Sequence, residues 1–338
     1  MKRIPQVDAL RGLAALGVCI FHLGTYHNAH YDLPQALHRI ASLGEYGVQV
    51  FFVISGFVIP YSMFVAQYEL RAFPRFLLKR ILRIDPPYLA TIALTIGLAY
   101  LAAATPGFQG ERPNYTWTQL ALHLGYLVDI FKSEWVVLVF WTLAIEFQYY
   151  LFMGLAFPLL ASSQKRWRVL ALLLSGLLAL VVPQGEFVLH WLFLFMVGGV
   201  LFQYRASLLE KRAFFWWMAY CFAGCVATLG IKAALAGLVA AAVILWGKRL
   251  TSRALDELGT ISYSLYLVHY PISAKAFNIF SRFTQNSILQ FLVTLLAVLV
   301  AAVGFYWLVE RPAKRCAAQL KYDHGRKSAA SDPTPATS

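Results

Sequence analysis

The chain has 338 residues, of which 59% are hydrophobic and only 13% are charged. About a quarter of the residues of a soluble domain are charged, so this composition excludes a soluble fold and predicts an integral membrane protein. The formal net charge of +13 does not indicate nucleic-acid binding, because the basic residues cluster in short segments between apolar runs, where they orient a membrane protein.

Apolar runs that approach the length needed to cross a bilayer, about 20 residues, recur along the chain. They predict an all-α, polytopic integral membrane protein with about ten transmembrane helices. Two of the runs, 168–183 and 232–247, are short for a span. In chain order the runs lie near 8–26, 46–66, 86–104, 138–160, 168–183, 187–204, 213–230, 232–247, 259–280 and 286–309.

The first run is expected to remain in the mature protein. Asp8 and Arg11 interrupt the charged-to-apolar transition of a signal peptide, and no small-x-small cleavage site follows. Between the third and fourth runs, the apolar stretch 117–131 is short and contains polar residues, among them His123. We therefore expect an interfacial or re-entrant piece there, within an external loop over about 105–137.

Lys and Arg residues predict the orientation of the helices. Most of the 29 lie in alternate loops, among them Arg80 and Arg83 before the third run, and few lie in the loops between. Positive loops face the cytoplasm, which predicts an even number of spans and two cytoplasmic termini. Residues 1–315 are thus predicted to form a transmembrane domain. Residues 316–338 are predicted to form a basic, disordered cytoplasmic tail.

Two patterns that would indicate other functions are missing from the sequence. The four cysteines form neither a secreted disulfide framework nor a zinc motif, so no metal site is expected. There is no repeat at a fixed period and no duplication of halves, which disfavours an inverted-repeat transporter.

Three ionisable residues lie in the first predicted helix: Asp8, Arg11 and His22. Such groups are costly inside a membrane and mark functional sites by default. On a helix, Arg11 and His22 lie roughly 16 Å apart along the axis and within about 20° of one face. A cation near the cytoplasmic mouth and an imidazole deep in the bilayer would then line one passage. The alternative is a snorkelling arginine and a hydrogen-bonded packing histidine.

Later segments add a carboxylate and an arginine pair. Glu146 lies in an apolar run and shares a helix face with Tyr150 at i,i+4. The alternative to a functional role is a structural ion pair between Glu146 and a buried arginine. Arg80 and Arg83 form a pair suited to phosphates, although Arg is common in any cytoplasmic loop.

Five segments together resemble the membrane acyltransferase-3 family of O-acyltransferases, over about Val7 to Pro312. The spacing of Arg11 and His22 matches the opening signature of that family. In chain order the segments are VDALRGLAALGVCIFH, GEYGVQVFFVISGF, KRILRIDPPY, WTLAIEFQYY and GTISYSLYLVHYPI. Many relatives carry a C-terminal esterase-like domain, and the sequence stops after the last predicted helix, so a stand-alone enzyme is expected.

The resemblance implies an enzyme of the cell (inner or plasma) membrane that works among membrane lipids without a permanently bound cofactor. It implies transfer of an acyl group, commonly acetyl, from cytoplasmic acyl-CoA (acetyl-CoA) to a hydroxyl of a glycan, a lipid-linked sugar or a related exported acceptor. From the residues alone, a multi-helix transporter or exporter of a polar or anionic solute remains the alternative.

The resemblance also implies roles for individual residues. His22 is expected to act as a general base or as a covalent acyl carrier, with Glu146 orienting its imidazole. His269 is expected either to form a second polar wall of the site or to be an interfacial group. The residues expected to bind acyl-CoA or the acceptor are Arg11, Asp8, Arg80, Arg83, Ser55, Tyr150 and His269.

Overall fold

The computed structural model describes residues 4–26, 33–106, 108, 110–182, 184–247 and 252–320. These residues are predominantly helical and contain no strand. Helices satisfy every backbone hydrogen bond within the segment, which is what an apolar chain in lipid requires. The α-helices are α1 Pro5–Phe21, α2 Gln35–Ser42, α3 Gly47–Val65, α4 Phe73–Ala103, α5 Trp117–Leu124, α6 Trp141–Leu160, α7 Lys165–Val181, α8 Val188–Arg205, α9 Lys211–Leu229, α10 Ile231–Trp246, α11 Arg253–Phe280, α12 Ser287–Phe305 and α13 Arg311–Gln319.

Two π-helical segments of five residues extend this pattern. His22–Tyr26 continues α1, and Tyr306–Glu310 joins α12 to α13. Such segments are rare and often occur at functional sites. The first segment begins at the predicted site residue His22, and the second ends at the carboxylate of Glu310.

Within the described residues, seven helical segments are long and apolar enough to cross a membrane. This confirms a multi-pass, all-α membrane protein. The other three predicted runs are also helical, but α7 and α10 have only 17 and 16 residues. The third, α11, has 28 residues, and its middle is rich in Ser, Tyr and His. The seven segments are Pro5–Thr25, Gln35–Val65, Leu70–Ala103, Leu138–Leu160, Val188–Arg205, Lys211–Leu229 and Ser287–Gln319.

Two close helix pairs organise the bundle: α1 packs along α11, and α3 packs along α8. A side chain at Gly259 of α11 would collide with the carbonyl oxygen of Asp8 in α1. A side chain at Gly56 of α3 would collide with the backbone of Phe195 in α8. Small residues permit this approach, as in other membrane helix pairs. One hydrophobic cluster surrounds α3 and α8, and a second surrounds α1, α11 and α12.

The segment that carries Arg80 and Arg83 differs from the prediction. The sequence placed both residues in a loop that ends near Pro86, but they belong to α4, a continuous helix of 31 residues. Proline lacks an N–H and usually ends a helix, which is why a boundary was expected at Pro86 and Pro87. Packing of α4 against α6, α11 and α13 outweighs that loss. Both guanidinium groups are therefore carried on a helix.

The predicted piece in the external loop contains the short helix α5, which Thr116 caps at its N-terminus. His123 Nε2 accepts a hydrogen bond from the Val136 backbone N–H at 3.1 Å. The Tyr88 hydroxyl donates to the His123 carbonyl at 3.3 Å, which ties the segment to α4. The position of this segment relative to the membrane stays a prediction.

The predicted C-terminal tail begins inside a helix. The boundary at residues 315 and 316 falls within α13, which continues to Gln319. Lys79 Nζ donates to the Leu320 carbonyl at 3.0 Å, so the end of α13 is attached to α4. Residues 321–338 of the predicted tail lie outside the described residues.

Candidate active site

A cavity lies between α1, α3, α4, α6 and α11, and is bordered by the second π-segment and α13. It holds about 940 Å³ of empty volume, which includes space open to the outside. Its apolar walls come largely from α3, where Phe51, Ile54 and Val58 face inward. Apart from Ser55 of α3, its polar lining comes from the other elements, and it includes most of the residues that the sequence had predicted.

The charged residues of the cavity are mainly basic. Its lining contains Arg11 of α1, Arg80 and Arg83 of α4 and Lys314 of α13, together with the carboxylates Glu146 and Glu310. Cations thus outnumber carboxylates by two among the lining residues. A largely apolar cavity with a cationic surplus is suited to a ligand that carries several negative charges.

Glu146 is held by hydroxyl groups. Its Oε1 accepts from the Ser55 hydroxyl at 3.1 Å and from the Tyr150 hydroxyl at 2.7 Å. The Arg80 guanidinium lies over the Tyr150 ring, with its central carbon 5.5 Å from the ring centroid. Arg80 Nη2 also donates to the Ser62 hydroxyl at 3.0 Å. The predicted i,i+4 pairing of Glu146 and Tyr150 is thus a direct hydrogen bond.

Glu310 is fully buried at the end of the second π-segment. Its Oε2 accepts from the backbone N–H of Ser264 at 2.9 Å and from the Ser264 hydroxyl at 2.5 Å. Its Oε1 forms an ion pair with Lys314 Nζ at 2.5 Å. This carboxylate therefore joins α11 to α13 at the wall of the cavity.

His22 and His269 contact each other. His269 Nε2 lies 3.2 Å from His22 Nδ1, although the residues are separated by most of the chain. His269 Nδ1 lies 2.7 Å from the Tyr266 carbonyl, so this nitrogen carries the proton and Nε2 is the acceptor. His22 Nδ1 also lies 2.9 Å from the Val18 carbonyl, which makes it a donor. The lone pair of the His22 imidazole is therefore on Nε2.

Tyr266 lies between the cavity and these histidines. It lines the cavity, and its ring centroid is 5.7 Å from that of His269. On α11 the cavity extends from Ser262 to Tyr266 and ends less than one turn before His269. In this arrangement, the imidazole pair adjoins the inner end of the cavity without lining it.

Comparison with known families identifies the chain. The family model described as an acyltransferase domain, that of the acyltransferase-3 family, matches residues 4–307. The chain belongs to this family. The match covers every element that lines the cavity except the last turns, which carry Glu310 and Lys314.

Individual relatives of this acyltransferase-3 chain align over about half of it. An acyltransferase of Streptomyces mycarofaciens is 30% identical over 162 residues, which cover 46% of this chain and 39% of that protein. A Staphylococcus aureus (strain COL) protein named "Putative O-acetyltransferase" is 27% identical over 184 residues, or 50% of this chain and 27% of that protein. A "Putative acetyltransferase" of Acidianus two-tailed virus is 29% identical over 189 residues, or 54% and 51%. The chain thus spans only about a quarter to a half of the length of these curated relatives. No solved structure matches the chain significantly.

The structure of this family member brings most of the predicted residues together. The lining of the cavity contains Arg11, Ser55, Arg80, Arg83, Glu146 and Tyr150. His22 and His269 contact each other beside this cavity and are not among the residues that line it. Asp8 is half-buried on α1 and contributes its carbonyl to the α1–α11 contact.

The family resemblance and the sequence patterns missed Glu310 and Lys314. Glu310 directly follows the last predicted run, and Lys314 was counted only as a loop charge. An acidic residue at the edge of an apolar run, followed at i+4 by a lysine, is the signal that would have found this pair.

Proposed function

We propose that this protein is a membrane O-acyltransferase that moves an acetyl group from cytoplasmic acetyl-CoA to a hydroxyl of a glycan or related exported acceptor. The observation that carries the proposal is the cationic cavity whose inner end adjoins a pair of hydrogen-bonded histidines. Family membership favours transfer over transport, and the names of two relatives specify acetyl transfer.

Coenzyme A joins a nucleotide that carries several phosphate charges to a long arm that ends in a thiol, and the cavity has matching features. Arg11, Arg83 and Lys314 would contact phosphates by charge-assisted hydrogen bonds, which are about twice as strong as neutral ones. The apolar wall from α3 would accompany the pantetheine arm toward Tyr266. The carboxylates of Glu146 and Glu310 offset part of the repulsion between these cations when no donor is bound.

His22 is proposed to act as the general base through Nε2. It would take the proton of the acceptor hydroxyl as the oxygen attacks the thioester carbonyl. The new C–O bond forms, the C–S bond breaks, and the thiolate of coenzyme A leaves and receives the proton from His22. The Val18 carbonyl and His269 Nε2 accept from Nδ1–H and stabilise the imidazolium.

We propose for His269, which contacts His22, the orienting role that was expected of Glu146. Glu146 would instead act within the cavity, where Ser55 and Tyr150 fix its carboxylate. A covalent acyl-histidine would use the same Nε2 lone pair. Detection of an acyl-imidazole by mass spectrometry of rapidly quenched protein distinguishes the two routes.

The topology proposed for this enzyme has ten spanning helices in residues 1–315 and both termini in the cytoplasm. The helices α7, α10 and α11 pack within the bundle against α8, α9 and α12, which supports counting them as spans. The basic side of the cavity then faces the cytoplasm, as the positive-inside rule requires. A cell (inner or plasma) membrane location follows from cytoplasmic acetyl-CoA and an exported acceptor.

Turnover of acetyl-CoA by the purified protein in detergent tests the proposed function. Transfer needs one compartment, whereas transport needs two, so release of coenzyme A in detergent with a glycan extract as acceptor supports an enzyme. If acetyl-CoA neither binds nor turns over in the presence of such extracts, the proposal is wrong.

We expect the variant Arg11→Ala to raise the KM for acetyl-CoA about tenfold while kcat changes little, because a lost charge-assisted hydrogen bond removes ~1.5 kcal/mol of binding. The matched control is Arg253→Ala, since Arg253 pairs with Glu257 at an exposed position outside the cavity. Steady-state kinetics with varied acetyl-CoA provide the measurement. An unchanged KM in Arg11→Ala would remove Arg11 from donor binding.

A further inference from the structure

Tyr266 occupies the inner end of the cavity, where its ring contacts the rings of Phe51 and His269. Its ring centroid lies 5.7 Å from that of Phe51 on the cavity side and 5.7 Å from that of His269 on the other. His269 is fully buried and in turn contacts His22. The Tyr266 ring therefore separates the space that holds the proposed donor from the proposed base.

The hydroxyl of Tyr266 is fixed at the start of α6. It donates to the Val139 carbonyl at 3.0 Å and lies 2.5 Å from Thr142 Oγ1. Thr142 Oγ1 also lies 3.0 Å from the Val139 carbonyl. A change of χ1 that swings the Tyr266 side chain away moves the hydroxyl and must break these contacts. We call Thr142 and the Val139 carbonyl, which together hold the Tyr266 hydroxyl, the latch.

We propose that Tyr266 is the barrier between the acyl-CoA cavity and the histidine pair, and that the latch holds this barrier closed. The inference rests on the proposed function and deepens it. With the Tyr266 ring in place, the thioester of the bound donor cannot reach His22 or water on that side. The ring also limits the length of the acyl chain that the cavity can hold. Transfer requires displacement of the ring, so Tyr266 is a positioning and specificity-determining residue.

The variants Tyr266→Phe and Thr142→Val test the latch, since each removes a hydroxyl and keeps nearly the same volume. The probe is acetyl-CoA without an acceptor, and the measurement is release of the free thiol. Water then replaces the acceptor: its oxygen bonds to the acetyl carbon, the C–S bond breaks, and acetate and coenzyme A leave. We expect hydrolysis about fivefold faster than in the wild type, because one lost hydrogen bond shifts the closed–open equilibrium by that factor. We also expect the increase to disappear when His22→Ala is added.

Tyr68→Phe is the matched control. The Tyr68 hydroxyl donates to the Gly154 carbonyl at 2.8 Å in a buried position outside the cavity lining. Its removal costs a hydrogen bond of the same kind but leaves the barrier in place, so hydrolysis is expected to stay at the wild-type rate. Thermal unfolding in detergent identifies any variant that fails to fold.

The variant Tyr266→Ala tests the limit on acyl length. We expect it to bind octanoyl-CoA more tightly relative to acetyl-CoA than the wild type does, by up to roughly fourfold for each additional methylene that becomes buried. Three results would each contradict the proposal that Tyr266 is a barrier. The first is an unchanged rate of hydrolysis in both latch variants, and the second is a faster hydrolysis that persists when His22→Ala is added. The third is an unchanged ratio of the affinities for octanoyl-CoA and acetyl-CoA in Tyr266→Ala. These outcomes leave acetyl-CoA binding by the wild type intact, whereas a wild type that does not bind acetyl-CoA refutes the proposed function as well.

Discussion

Replacement of His22 by Ala is expected to lower the rate of acetyl transfer by about 10²–10⁴-fold, the range for loss of a general base. The reason is the position of the His22 lone pair, because Nδ1 donates to the Val18 carbonyl and to His269 and Nε2 is left as the basic atom. The measurement is kcat for acetyl-CoA at saturating donor, since the KM for acetyl-CoA should change little in a residue outside the cavity lining.

The control for this variant is His190→Ala. His190 packs on the ring of Trp191 at 5.1 Å between centroids and does not line the cavity. The variant His190→Ala removes an imidazole of similar burial and leaves the residues of the proposed site unchanged. A His22→Ala protein that unfolds at the wild-type temperature and retains full activity would exclude His22 from the chemistry.

Replacement of Glu310 by Ala is expected to destabilise the protein by about 2–4 kcal/mol. The change leaves the buried N–H of Ser264 without its carboxylate acceptor and removes the ion-pair partner of Lys314. We place the figure below that for a fully buried ion pair, because the Lys314 side chain is 31% exposed. The unfolding temperature in detergent is the measurement, and acetyl-CoA affinity should fall with it.

Two variants separate the charge of Glu310 from its hydrogen bonds. Glu310→Gln keeps an oxygen acceptor for Ser264, so it should lose less stability than Glu310→Ala. The double variant Glu310→Ala with Lys314→Ala removes the cation that was left unpaired and should recover part of the loss. Equal unfolding temperatures for wild type and Glu310→Ala would show that this carboxylate has no structural role.

The helices were predictable from the sequence, because the apolar runs approach the length that a bilayer requires. Within the described residues each predicted run is largely helical, and His22 directly follows the last residue of α1, which carries Arg11. The continuous α4 was not predictable locally. Its two prolines indicate a break, and only packing against three other helices explains why none occurs.

The contacts of the site depend on pairs that are distant in the sequence. Ser55 and Glu146 meet across α3 and α6, and His22 and His269 meet across α1 and α11. A single sequence shows that each of these polar groups lies in an apolar run, but it does not show which other polar group each one contacts. This is why the orienting role was first given to Glu146, and why His269 had two open interpretations.

The position of Tyr266 was also beyond sequence reasoning. The phase of an ideal helix predicts that Arg11 and His22 share a face, but a passage between them depends on what the neighbouring helices insert. Here α11 contributes an aromatic ring at that level, and α6 fixes its hydroxyl. The proposed site therefore consists of a cavity for the donor and a histidine pair, with the Tyr266 side chain between them.

The proposed function is acetylation of an exported acceptor by means of His22. Its most direct test compares surface glycans and exported metabolites by mass spectrometry in cells that lack the gene and carry either the wild type or His22→Ala at matched levels in the membrane. We expect an acetyl-sized mass increment that the wild type restores and His22→Ala does not. Identical glycan and metabolite profiles in both strains, with or without the increment, would contradict the account.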